Sequence, residues 1–251
     1  MKRICWFLFM FVICSTILTA SPLDRGVDLY KQRKLEEAIT YLNEIKAIVS
    51  PQEKKHVYIL IARCYWTKAT YYTQDNKNKA EVFAKGLQAI KEAQEILGED
   101  ARFYYWEAVL VGEKANAFFS IDSFTAADTI KELCNRVIAL DPSYDDGGAY
   151  LILGRMYYML PKLFGGNNEE SIHYLLKAKK YMDMRPNDER KHFVYKFLAE
   201  SYVAQREWRK AKQALFDGLN CPKDQDAPHE ESPSYLEMEK LLNKINQTLK
   251  D

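Results

Sequence analysis

Residues able to carry chemistry are few and scattered along this chain. The four histidines, His56, His173, His192 and His229, stand far apart. No two have the i, i+4 spacing that sets a pair of zinc ligands on one helix face. No Gly-x-Ser-x-Gly string marks a nucleophile turn, and no Cys/His nucleophile signature is present. Asp145-Asp146 is a carboxylate pair at a turn, and it reads as a solvated helix start rather than an acid–base dyad. Gly165-Gly166 lacks the Lys-Ser/Thr that follows a phosphate-cradling loop, so it reads as a helix-ending turn. No enzyme is expected, and no cofactor or metal is implied.

The cysteines point the same way. Of five, two lie near the N-terminus, and Cys64, Cys134 and Cys221 remain, odd in number and far apart. They form neither a disulfide framework nor a zinc spacing. Cys64 and Cys134 sit on apolar helical faces, where buried free thiols are expected.

Composition favours helices. Hydrophobic residues make up 47% and charged ones 28%, while Gly (10) and Pro (8) are too scarce for a many-turned sheet. Tyr 17, Phe 12 and Trp 4 supply flat surfaces that either fill gaps between helices or line a groove. The formal charge of +1 and the absence of a dense basic run do not suggest nucleic acid.

Residues 1–20 read as a signal peptide, leaving 21–251 as the folded domain. Met1-Lys2-Arg3 is a positive start, Ile4 to Leu18 is an almost unbroken apolar run, and Ala20 precedes Ser21-Pro22 as a cleavage point. The run is short for a membrane span, which needs roughly 20 residues. An exported protein, periplasmic or secreted, is expected, with an uncleaved anchor as the alternative. Ile13 is large where a lipoprotein site takes a small residue, so lipidation at Cys14 is not expected.

The helices come in pairs. Leu151, Gly154, Tyr157 and Tyr158 share one helical face, Leu160 to Asn168 forms a loop stopped by Pro161 and Gly165-Gly166, and a second apolar face follows from Ile172 to Lys179. Such a hairpin cannot bury its own faces and needs copies on either side. Gly26, Leu29, Ala38 and Leu42 set a small–large–small–large spacing that returns at Ala199, Tyr202, Ala211 and Leu215. This spacing resembles the tetratricopeptide repeat, in which small residues mark helix crossings. Three further copies follow with longer turns. They begin at Ala62 and Tyr65 with Ala80, Ala84 and Leu87; at Ala108 and Val111 with Ile130, Cys134 and Val137; and at Gly154 and Tyr157 with Ser171, Leu175 and Ala178. Ser50-Pro51-Gln52-Glu53 is a capping box, Pro186-Asn187 opens the fifth pair, and Ser232-Pro233 starts a last helix with Tyr235, Met238, Leu241, Leu242, Ile245 and Leu249 on one face. The expected fold is all-α, a solenoid of five helix hairpins with a C-terminal capping helix.

The fourth pair carries a narrower resemblance. Gly147, Gly148, Gly154, Tyr157, Leu160, Pro161, Gly165 and Gly166, with the aromatic run Phe103 to Trp106 upstream, are similar to the periplasmic T-component of tripartite ATP-independent periplasmic (TRAP) transporters. That resemblance implies an exported scaffold docking a solute-binding protein, with apolar ligand clefts. The repeat resemblance itself places a concave groove on Ile59, Arg63 and Trp66; Arg102, Tyr105 and Val109; Leu151, Arg155, Tyr158 and Met159; and Phe193. Arg63 and Arg155 take equivalent positions in the second and fourth pairs. Arginines beside aromatics would grip an acidic and apolar partner segment or an organic acid. In the bland alternative each arginine lies along its neighbours with its head in water. Tyr71-Tyr72 and Phe118-Phe119 either pin the turns or form a patch for homo-oligomerisation. The expected function is protein binding by a transport accessory, with a general envelope adaptor or a small-ligand binder as alternatives.

Overall fold

A computed structural model describes residues 21–117, 122–185, 191–222 and 228–249. The first helices start on the residues that can satisfy orphan backbone N–H groups. Ser21 caps α1 (Pro22–Lys31), its hydroxyl accepting from the Leu23 N–H at 3.2 Å while its own N–H donates to Asp24 at 2.8 Å. Ser50 repeats the arrangement with Glu53 at the head of α3 (Pro51–Tyr72). The Ser21 hydroxyl also donates to Glu53 at 2.6 Å, tying the caps of successive pairs together. Hydrogen bonds from Ser21 and then Ser50 hold the Glu53 carboxyl below its ordinary pKa.

The remaining helices are α2 (Leu35–Ile45), α4 (Asn76–Leu97), α5 (Ala101–Ala117), α6 (Asp122–Leu140), α7 (Tyr144–Met159), α8 (Asn168–Met182), α9 (Lys191–Ala204), α10 (Trp208–Leu219) and α11 (Pro228–Thr248). Among the described residues there is no strand, and consecutive helices pack on one another throughout. The first helices α1, α3, α5, α7 and α9 also touch in succession, so they share one face of the ribbon. This is the all-α solenoid of five pairs and a terminal helix that the sequence implies. Its core falls into clusters that join neighbouring pairs: Phe83, Ile90, Phe103 and Leu110 link α4 to α5, and Leu175, Val194 and Leu198 link α8 to α9. No pair buries its apolar face alone.

The small residues meet as expected. Gly26, Ala62, Ala108, Gly154 and Ala199 are all buried. In α4 the expected register fails: Ala80 and Ala84 are only partly covered, and the packing face is Phe83, Gly86, Ile90 and Ala93. The reason is where the extra residues went. Both α3 and α4 run to 22 residues and only 73–75 connect them, so the insertion lengthens the helices rather than the turn and shifts the contact along α4. The turn of the third pair, with Phe118-Phe119, lies outside the described residues. In the fourth pair the addition is a true loop.

The three-residue turns within the first and fifth pairs are alike. Gln32-Arg33-Lys34 and Gln205-Arg206-Glu207 place Arg33 (φ 59) and Arg206 (φ 62) in the left-handed region, which costs roughly 1–2 kcal/mol for a residue with a Cβ. In each turn the following N–H closes back on the helix, Lys34 to Leu29 O at 3.0 Å and Glu207 to Tyr202 O at 2.9 Å.

Two expectations at the C-terminal end need correction. The last helix begins at Pro228, and Pro233 is its sixth residue, where it gives up one ladder bond instead of starting the helix. Leu249 lies past the helix end and is 48% exposed, whereas Tyr235, Met238 and Ile245 cover α9 and α10. Pro186-Asn187 lies outside the described residues. No helix among those described is long and apolar enough to cross a membrane. Cys64 and Cys134 are buried free thiols, and burial pushes both up to about 12.

Candidate functional site

The shared face of α5, α7 and α9 is hollowed into a pocket of about 440 Å³. Rows of side chains four apart form its walls: Val109 and Glu113 from α5, Leu151, Arg155 and Met159 from α7, and Phe197 from α9. Ile130 of α6 and Leu160-Pro161 of the loop after α7 also line it. A larger depression, about 600 Å³, is lined by Ala84, Leu87, Gln88, Lys91, Glu92 and Glu95. All six belong to α4, so it has a wall on one side only. The three-helix pocket is therefore the better candidate for binding.

Of the residues expected in the groove, Val109, Leu151, Arg155 and Met159 line this pocket. Ile59 and Tyr105 do not: both are 9% exposed and belong to the core. Their helices are covered on that side by the neighbouring pair, so the register assigned to the groove falls partly on the packing face. Trp66 is half-buried and sets an edge against Tyr71 (5.8 Å) and Trp106 (6.3 Å). Tyr71 thus pins the end of α3, while Tyr72 is 50% exposed. Phe193 packs on His192 and Phe197.

The arginines are already engaged. Arg63 is exposed and lies over the Tyr30 ring at 5.1 Å. Arg102 donates to Asp100 through two nitrogens at 2.7 and 2.8 Å. Burial would raise the Asp100 carboxyl, but these bonds and one from Lys55 hold it well below the usual carboxylate range. Arg155 donates to Glu200 and stacks over Phe197 (4.4 Å) and Tyr158 (5.2 Å). The spacing of these cations was legible, but their partners lie on other helices.

Glu113 and Phe197 were missed. Each stands four residues beyond an expected groove residue, Val109 and Phe193, as Met159 stands beyond Arg155. Extending the same row by one turn would have found them. Trp66 donates its indole N–H to the Glu113 carboxylate at 3.4 Å. Burial raises the Glu113 carboxyl above its ordinary value, against smaller lowering effects from Trp66, Lys79 and Arg155.

The loop beside the pocket is built on glycines. Pro161 precedes a 3-10 turn, Lys162–Phe164, and Gly165 follows at φ 89. Gly166 donates to Pro161 O at 3.0 Å, and Asn167 donates to Tyr157 O at 3.0 Å before capping α8. Asn167 is the cap, and α8 begins at Asn168. The Tyr157 ring stacks on Tyr174 at 5.6 Å, and Tyr174, Tyr150 and Tyr181 continue the column between α7 and α8. Leu163 (87% exposed) and Phe164 (46%) are exposed on this loop, as Met159 (49%) is at the end of α7.

Asp145-Asp146 is not the solvated helix start that was expected. Asp145, Asp146 and Gly147 take successive left-handed conformations inside the span of α7. Asp146 is buried and pairs with Arg185 at 2.8 Å, while Asp145 accepts from the Tyr105 hydroxyl. The pair joins α7 to its neighbours on both sides. A turn that folds back this tightly brings the carboxylates inward, where each has a cationic or hydroxyl donor.

Residues 23–164 match the family model described as Regulator of microtubule dynamics protein 1-3 (RMD1-3). That span is more than half of the 251 residues. The chain belongs to this family. The region shared with the RMD1-3 family runs from α1 to the loop after α7, and so includes most of the pocket wall. No curated protein matches the chain. Among solved structures, the crystal structure of a signal transduction ATPase with numerous domains (STAND) protein, carrying a tetratricopeptide-repeat sensor, from Pyrococcus horikoshii is similar. The TM-score is 0.55 at 17% identity, over 88% of this chain and 31% of that one. This chain therefore spans about a third of the length of that protein, and the likeness shows a helical-repeat fold alone.

Proposed function

We propose that this RMD1-3 family chain is an exported, non-enzymatic scaffold that holds a partner protein on its concave face. The observation that carries this reading is the pocket between α5, α7 and α9, lined in part by Met159 and Leu160-Pro161, with Leu163 and Phe164 exposed on the loop that continues from Pro161. Exposed apolar groups on a rigid loop beside a groove mark a contact surface. Helical-repeat ribbons supply such extended binding faces. The positive start and apolar run of residues 1–18 support export. The fourth-pair segment supports the finer reading, a transport accessory that docks a solute-binding protein of the TRAP type.

The family match favours a second reading, in which the partner is a microtubule or a protein that acts on one. One experiment separates them. The chain is recovered from its native source, and its complexes are identified by native mass spectrometry. Under the first reading it carries an envelope protein, a solute receptor in the finer version, and does not pellet with stabilised microtubules. The Leu163→Asp, Phe164→Asp double variant should lose that partner at least tenfold with its helical circular dichroism unchanged. Retention of the partner by a folded double variant removes the rim from the binding surface, and pelleting with microtubules selects the second reading.

A further inference from the structure

Charge around the pocket is balanced at every group but one. Arg155 is held by Glu200, and Lys196, which also lines the pocket, is held by Glu237. The Glu113 carboxylate has the Trp66 indole as its hydrogen-bond donor, at a long 3.4 Å, and no ion pair within 4 Å is recorded for it among the described residues. It faces a cavity lined mostly by apolar side chains, among them Val109, Ile130, Leu151, Ile152, Met156 and Phe197, with Asn116, Arg155 and Lys196 as the other polar groups. A half-buried carboxylate without an ion-pair partner is costly to keep, and that cost falls when a ligand supplies the positive charge. Lys79 and Arg155 are the cations close enough to act on it, and neither hydrogen-bonds to it.

We propose that the pocket between α5, α7 and α9 takes a small molecule with an apolar body and a single ammonium head, the head donating to Glu113 and the body lying along α7. A charge-assisted N–H···O bond sets the orientation, and the apolar walls supply most of the burial. The volume of about 440 Å³ lies within the range of small-molecule sites, roughly 300–1,000 Å³. This preference is the opposite of the one suggested by the arginines, of which Arg102 and Arg155 are paired with carboxylates within the fold. The inference deepens the concave-face reading and rests on it only for the place of binding.

The test uses three probes of eight carbons each: n-octylammonium, octanoate and octanol. They are titrated calorimetrically into the full chain at neutral pH. Octylammonium should bind at least tenfold more tightly than octanoate, and the indole N–H resonance of Trp66 should shift as it does. Glu113→Gln should weaken octylammonium at least tenfold while leaving octanol within about twofold. Equal or tighter binding of octanoate, no binding of octylammonium, or full affinity in a folded Glu113→Gln variant would overturn the proposal. If that variant does not fold, the wild-type ammonium–carboxylate preference and the Trp66 shift still decide. Because the rim variant Leu163→Asp, Phe164→Asp leaves Glu113 in place, loss of the protein partner there and loss of the amine preference here are independent results.

Discussion

Gly154→Val should unfold the fourth helix pair well before the others. A Cβ at Gly154 would stand 2.6 Å from Leu175 Cγ, 2.9 Å from Leu175 Cδ2 and 3.1 Å from the Ser171 carbonyl oxygen. Leu175 is fully buried, so it has no open space into which to swing. Valine adds two further methyl groups at this crossing, and α7 and α8 must separate to admit them. Overpacking of this kind costs about 3 kcal/mol or more when backbone must move. The separation also breaks the contact of α8 with α9, so the loss spreads along the ribbon. Urea denaturation followed by circular dichroism should show a lowered midpoint or a split transition. Gly112→Ala provides the control on a neighbouring first helix. Its added Cβ would meet Ile130 Cδ1 at an ordinary 3.5 Å, and helix propensity favours alanine over glycine by about 1 kcal/mol. That variant should be as stable as the wild type or more so.

Gly166→Ala should open the loop after α7, while Gly165→Asn should leave it closed. The two glycines are adjacent but are there for different reasons. A Cβ at Gly166 would fall 1.8 Å from Leu160 O and 2.6 Å from Leu160 C, both backbone atoms that cannot rotate away. Relief of that collision would break the bonds from Gly166 N to Pro161 O and from Asn167 N to Tyr157 O. Asn167 would then no longer cap α8 through the Glu169 and Glu170 N–H groups. Two backbone bonds and a cap, at about 1 kcal/mol each, give a loss of about 3 kcal/mol. Gly165 has φ 89 with open space beyond it, and asparagine tolerates that conformation at a cost of under about 1 kcal/mol. Hydrogen exchange at residues 160–170 checks both, with fast exchange in Gly166→Ala alone. Equal protection in the two variants would contradict the close approach of Gly166 to Leu160.

The contrast shows why this part of the fold was legible. Gly154 and Gly166 are fixed by contact with other backbone or core atoms, so their identity is written in the chain, as are Gly26, Ala62, Ala108 and Ala199. Start signals such as Ser50-Pro51 are local and could be read directly. The register of α4 was not legible, because nothing in the sequence tells an extended helix from a lengthened turn when the inserted residues are good helix formers. The groove was half legible. Val109, Leu151, Arg155 and Met159 line the pocket, but Ile59 and Tyr105 turned inward, since a first helix has a packing face on both sides of its exposed stripe. The arginines misled for a different reason: Glu200 and Asp100, which neutralise Arg155 and Arg102, are found only once the chain is folded. Asp146 was misread likewise, because its partner Arg185 lies on the far side of α8.

The central claim is that the working surface is the concave face of α5, α7 and α9 with its rim, and oxidative footprinting of the partner-bound chain tests it most directly. Met156, Met159, Leu163 and Phe197 should be protected on binding. Met184 and Phe216, 67% and 60% exposed away from the pocket, should react as in the free chain. Protection of Met184 and Phe216 with Met159 and Leu163 unchanged would place the partner elsewhere and contradict the account.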